Sequence, residues 1–103
     1  MKWIEQWDGF EWDEGNSTKN WKKHHVAALE CEEAFTDEPI IVTDDIKHSK
    51  AESRRSILGQ TKSGRRLFVS FTIRGKKIRV ISARPMSKKE QTLYEEIKED
   101  TEV

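Results

Sequence analysis

The stretch RRLFVSFTIRGKKIRVISARP, residues 65–85, decides the fold. Leu67, Val69, Phe71 and Ile73 alternate with Arg66, Ser70, Thr72 and Arg74, the period of a half-buried strand. Gly75 supplies a turn, and a second strand follows from Lys77 with Ile78, Val80 and Ile81 for packing. An even loop around Gly75-Lys76 places Ile78, Val80, Ser82 and Arg84 on the same face as Leu67 to Ile73. That register is odd, because it finishes a core-building strand on an arginine. Pro85 then forces the chain to change direction.

Upstream of this hairpin, SRRSILGQ (53–60) reads as another strand, joined to it through Lys62-Ser63-Gly64. Ile40-Ile41-Val42 is a short extended piece, followed by the polar loop TDDIKHSKAES. Nearer the start, Phe10-Glu11-Trp12 predicts a short strand ended by Asp13. Asp13 or Ser17 can cap a helix running to about His25, and Lys19, Lys22, Lys23 and His24 suit its negative end. A second helix is expected from Val26 to Phe35, anchored by Val26, Leu29 and Phe35 and stopping ahead of Pro39. Downstream, Ser87-Lys88-Lys89-Glu90 is a capping box for a last helix with Leu93, Tyr94 and Ile97 on one stripe. The class is therefore α+β: a short N-terminal strand, two helices, an antiparallel sheet of three to four strands, and a C-terminal helix. Residues 1–103 make one domain. Residues 1–9 are read as a variable leader, in which Trp3 and Trp7 serve as hydrophobic cover or an oligomer surface.

The hydrophobic fraction is only 34% against 37% charged, so four Trp and four Phe must supply much of the buried area. No apolar run is long enough to span a membrane, and the start lacks the apolar stretch of a signal peptide. Cys31 is the single cysteine, which rules out an internal disulfide and makes the cytoplasm the expected compartment. The net charge of zero conceals a strong segregation. Residues 1–53 hold 6 Lys/Arg against 13 Asp/Glu, whereas residues 54–89 hold 12 Lys/Arg and no Asp or Glu. Residues 90–103 return to one Lys against 6 Asp/Glu. A carboxylate-free block of that length attracts a polyanion, and nucleic acid is the commonest one.

No phosphate loop, GxGxxG or GxSxG motif is present. His24, His25, His48 and Cys31 lack CxxC or HxxxH spacing, so neither a metal nor another cofactor is expected. Cys31 is flanked by Glu30, Glu32 and Glu33, which disfavour a thiolate nucleophile. The segment HSKAESR, residues 48–54, gathers an imidazole, a carboxylate and a guanidinium at the entrance to the basic strands. His48 suits proton transfer at neutral pH. Glu52 could orient it or simply pair with Arg54.

Taken in order, the blocks E-W-D, N-x-x-K-H, H-S-x-x-E-x-R, L-G-x-T-x-x-G-R and I-R-V-I-S-A-R resemble the BrnT family of type II toxins over roughly residues 10–95. The resemblance implies a RelE-like fold and a ribonuclease that inhibits translation. It also implies silencing by a BrnA-type antitoxin and a toxin–antitoxin complex that binds its operator DNA mainly through the antitoxin. The glycine that often follows K-H in the family is His25 here.

On that footing the expected reaction is metal-free attack of the substrate's own 2′-OH on the adjacent phosphate. Arg74 and Arg84, with Arg54 as a third, are expected to clamp the phosphate, because guanidinium engages two oxygens at once. His48 and His24 are the proton-transfer candidates, with Glu52 as orienting group or base. Lys23, Arg65 and Arg79 are expected to hold RNA phosphates and Tyr94 to stack on a base. The competing readings are a non-catalytic nucleic-acid-binding module on the basic 54–89 sheet and a domain docking an acidic protein partner.

Overall fold

The computed structural model describes residues 6–44 and 54–102. The order is α1 (Glu14–His24), α2 (Ala28–Thr36), β1 (Ile41–Asp44), β2 (Arg54–Gln60), β3 (Arg66–Arg74), β4 (Lys77–Pro85) and α3 (Lys88–Glu102). The strands form one antiparallel sheet in the order β1-β2-β3-β4. The α+β layout expected from the sequence is therefore present.

The alternation in β3 sorts its side chains onto two faces. Leu67, Val69 and Phe71 are fully buried with Ile57, Ile78 and Val80, beneath Cys31, Ala34 and Phe35 of α2. On the opposite face, Leu58 packs with Met86 and Tyr94, and Phe68 joins them from the side, so α3 covers that end of the sheet. Gly59 lets α2 approach: a Cβ there would lie 2.2 Å from the Ala34 carbonyl oxygen.

The even register holds only for the first half of the second hairpin. Ile73 faces Ile78 and Phe71 faces Val80, but Ser70 then faces Ser82 and Phe68 faces Arg84. Ile81 is the extra residue of a β-bulge, and every side chain beyond it changes face. Ala83, not Ser82 or Arg84, fills the core, with no exposed surface. The placement of Ser82 and Arg84 on the Leu67 face is thus corrected. A small alanine replaces what would have been a buried guanidinium, a large desolvation cost.

The N-terminal segment makes a single parallel bridge, Phe10 to Ile78, in place of the expected strand. Asp8 N donates to Lys76 O (2.6 Å), Ile78 N to Gly9 O (2.9 Å) and Glu11 N to Ile78 O (2.8 Å), which occupies the open edge of β4. Trp7, Phe10 and Trp12 pack against the α2-side core. Trp3 lies outside the described residues.

Asp13, not Ser17, caps α1: its carboxylate accepts from Asn16 N (3.1 Å), and Asn16 Oδ1 accepts from Asp13 N (2.8 Å). Leu29, expected as an anchor of α2, is 66% exposed, and the core positions are Cys31, Ala34 and Phe35. The helix begins at Ala28, two residues later than expected, and at 3.6 residues per turn Leu29 falls off the stripe that Cys31, Ala34 and Phe35 define. Leu93 likewise leaves the α3 stripe, at 44% exposure beside a fully buried Tyr94.

The end of α1 shows what is asked of the residue that follows Lys23 and His24. His25 adopts a left-handed conformation (φ 53°, ψ 42°), and its N–H closes the helix on Trp21 O at 2.9 Å. A side chain there carries backbone strain that glycine lacks. His25→Gly is therefore expected to stabilise the fold by about 0.5–1 kcal/mol, relieving the strain at C′. A thermal melt should move up by about 2–8 °C. An unchanged or lower midpoint would mean that the edge-on contact of His25 with Trp21, at 5.3 Å between centroids, outweighs the strain.

Candidate functional site

The sheet face that carries α3 at one end is polar at the other, where Ser56, Ser70 and Thr72 form the floor. Two adjoining hollows of about 290 and 350 Å³ lie there, between the sheet and α1. Lys19, Arg54 and Ile81 line both, so they form one continuous groove. Arg74, Arg79 and Thr72 complete one end, and Lys23, His24, Ser82 and Arg84 the other.

Local chemistry fixes these walls. Asn16 and Asn20, one turn apart on α1, are buried and seat the helix on β4 across the bulge. Asn16 Nδ2 donates to Val80 O (3.1 Å), and Asn20 Oδ1 accepts from Ala83 N (3.0 Å). The bulge would otherwise leave those backbone groups without partners. The docking directs Lys19 and Lys23, also one turn apart, into the groove.

Arg74, Arg79 and Arg84 are held by carboxylates outside the groove. Arg79 reaches Glu11 (3.1 Å) and Asp13 (2.9 Å), and Arg74 lies 3.9 Å from Glu11. The backbone N–H of Asn16, followed by Arg79, keeps the Asp13 carboxyl below the usual carboxylate range. Arg84 makes a two-point pair with Glu90, Nη1 to Oε1 at 2.8 Å and Nη2 to Oε2 at 2.9 Å. That pair, followed by Ser87 N–H, holds the Glu90 carboxyl below its ordinary value despite partial burial. The Arg84 guanidinium lies over the Phe68 ring, 4.2 Å from its centroid.

Of the residues expected at the site, the groove brings together Arg54, Arg74, Arg79, Arg84, Lys23 and His24. His48 and Glu52 lie outside the described residues. Two others sit elsewhere. Tyr94 is fully buried, with its hydroxyl donating to Pro39 O at 2.7 Å, and burial pushes its pKa up to about 12. Its ring has no open face on which a base could stack. Arg65 points to the opposite side, where it donates to His24 O (3.1 Å), His25 O (2.8 Å) and Glu30 (3.1 Å). It satisfies carbonyls at the end of α1 and does not line the groove. Cys31 is fully buried, and desolvation, then Glu30 and Glu32, push its thiol up to about 12, in keeping with an inert thiol.

The sequence profile described as ribonuclease toxin, BrnT, of type II toxin–antitoxin systems matches residues 12–90. The chain belongs to the BrnT family. The family is one of ribonuclease toxins, so RNA is the target class and an antitoxin the partner class. Among curated proteins no sequence matches this BrnT chain. No described helix is long and apolar enough to cross a membrane.

Asn16 was not singled out from sequence, Lys19 was read only as a cation suiting the end of α1, and Asn20 only as the first residue of the N-x-x-K-H block. A signal existed for the asparagines, because Asn is a poor residue in a helix interior. Two of them four residues apart point to partners outside the helix, and Lys19 and Lys23 follow on the adjacent stripe.

Proposed function

We propose that this BrnT-family chain is an endoribonuclease that cuts RNA without a metal ion, by attack of the substrate's own 2′-OH on the adjacent phosphate. The observation that carries this reading is the bulge at Ile81. It turns Arg84 off the core face and into a groove that already holds Arg54, Lys23 and His24. A base takes the 2′-OH proton, the 2′-oxygen bonds to phosphorus, and the bond to the 5′-oxygen breaks as an acid protonates it. The products are a 2′,3′-cyclic phosphate and a 5′-hydroxyl. His24 and His48 are the proton-transfer groups, with Glu52 orienting one of them or acting as base. Arg54, Arg74 and Arg84 stabilise the added phosphorane charge, and Lys23 and Arg79 hold neighbouring phosphates.

In the cell, cleavage of messages stops translation, and a BrnA-type antitoxin silences the enzyme. The pair binds its own operator chiefly through the antitoxin. The whole chain acts as one toxin domain in the cytoplasm. Phe68, the one strand aromatic among the described residues that faces the groove side of the sheet, lies beneath Arg84, which weighs against a non-catalytic binder that stacks bases.

Purified protein incubated with an RNA oligonucleotide and EDTA is expected to yield cyclic-phosphate ends. The same oligonucleotide with one 2′-deoxy nucleotide at the cut position should stay intact. Cutting of the deoxy substrate, or activity lost to EDTA and restored by Mg²⁺, would overturn the mechanism.

A further inference from the structure

The way Glu90 grips Arg84 has a consequence for how the arginine can meet a phosphate. A guanidinium carries five N–H groups. Nη1 donates to Glu90 Oε1 (2.8 Å) and to Pro85 O (3.1 Å), and Nη2 donates to Glu90 Oε2 (2.9 Å). These bonds use the end of the guanidinium that faces α3. The two remaining N–H groups, on Nε and the other side of Nη2, lie along a single edge, the spacing that matches two oxygens of one phosphate. Phe68 covers one face of the group at 4.2 Å and limits its swing.

Glu90 itself is fixed by the start of α3. Ser87 N donates to Glu90 Oε1 (2.8 Å) and Glu90 N to Ser87 Oγ (3.3 Å), a complete capping box. The carboxylate therefore closes the first turn of a helix through Oε1 and grips the arginine with both oxygens. Free in solution, an arginine side chain samples many rotamers, and ordering it on substrate binding costs free energy. Here that ordering is done in advance.

We infer that Glu90 is a positioning residue for RNA cleavage, holding Arg84 so that its Nε–Nη2 edge forms a ready fork for a substrate phosphate. The inference rests on the reading of Arg84 as a phosphate clamp, and it assigns the C-terminal helix a part in the reaction.

Glu90→Gln separates the two duties, because glutamine still completes a capping box but makes a weaker, neutral bond to Arg84. With a short RNA oligonucleotide as probe, Glu90→Gln is expected to lower kcat by about ten- to a hundredfold, with KM nearly unchanged. Ser87→Ala removes the other half of the box and should lower the melting temperature while leaving kcat intact. In an Arg84→Lys background, Glu90→Gln should cost little more, since lysine offers no fork to orient. Wild-type kcat in Glu90→Gln with an inactive Arg84→Ala overturns the positioning role alone. An equal kcat loss in Ser87→Ala overturns it too, by tracing the effect to the helix start. Full activity in Arg84→Ala removes Arg84 from the site, and this inference with it.

Discussion

Arg84→Ala is expected to slow RNA cleavage by about a hundredfold or more, the usual loss for one preorganised transition-state donor. The fold should survive the change. Arg84 stands near the end of β4, its side chain is 37% exposed, and Ala83 rather than Arg84 fills the core. What is lost is one partly exposed ion pair, about 0.2–1 kcal/mol, and one cation–π contact, about 0.5–1 kcal/mol. Those terms are small beside the charge that a phosphorane gathers in a groove walled by Lys19, Arg54 and Lys23. Lysine in the same place should recover only part of the rate, because a point charge cannot engage two oxygens at fixed spacing. Single-turnover cleavage of a labelled oligonucleotide, a far-UV melt and growth after induction separate chemistry from folding. Wild-type cleavage and toxicity in both Arg84→Ala and His48→Ala would overturn the proposed mechanism.

The sheet and its helices were legible because they rest on short-range rules. The alternation from Leu67 to Ile73 is a backbone period, and the Ser87–Glu90 box is a local pattern whose two hydrogen bonds both form. The groove was legible as chemistry, since a run of cations without carboxylates has to face something. Its geometry was not, because the bulge is a single extra residue in a strand that reads as regular. A hint lay in Ala83 beside Arg84: the even register buried a guanidinium and exposed a methyl, the reverse of what desolvation allows. Arg65 and Arg66 show a harder limit. Adjacent and alike in sequence, they turn to opposite faces, Arg65 to the end of α1 and Arg66 to Glu95 and the Tyr94 ring. Nothing local distinguishes them, because the partners sit roughly 30–40 residues away in the chain. The burial of Tyr94 is of the same kind, set by a hydroxyl bond to Pro39 that only the assembled fold provides.

The largest loss of stability is expected from Gly59→Ala, in the L-G-x-T block. A methyl at Gly59 would sit 2.2 Å from the Ala34 carbonyl oxygen and 3.1 Å from its carbon. Those atoms are backbone, so no rotamer change relieves the contact, and α2 has to lift off β2. Overpacking of this kind costs about 1–3 kcal/mol and occasionally more, and a backbone obstruction belongs at the upper end. The lower conformational freedom of alanine in the unfolded chain returns only about 0.4–1 kcal/mol. A net loss near 2 kcal/mol should lower the melting midpoint by about 8–16 °C in a domain of this size. The single cysteine supplies a second readout. Cys31 lies on the same helix as Ala34, fully buried, with its thiol held up to about 12 mainly by desolvation. Lifting α2 wets that thiol, lowers its pKa and opens it to reagent, so Gly59→Ala should react with a thiol probe far faster than the unaltered protein at the same pH. A melt and a labelling rate both unchanged would mean that the helix accommodates the methyl without moving, and that the close approach at Gly59 is not what sets the seat of α2 on the sheet.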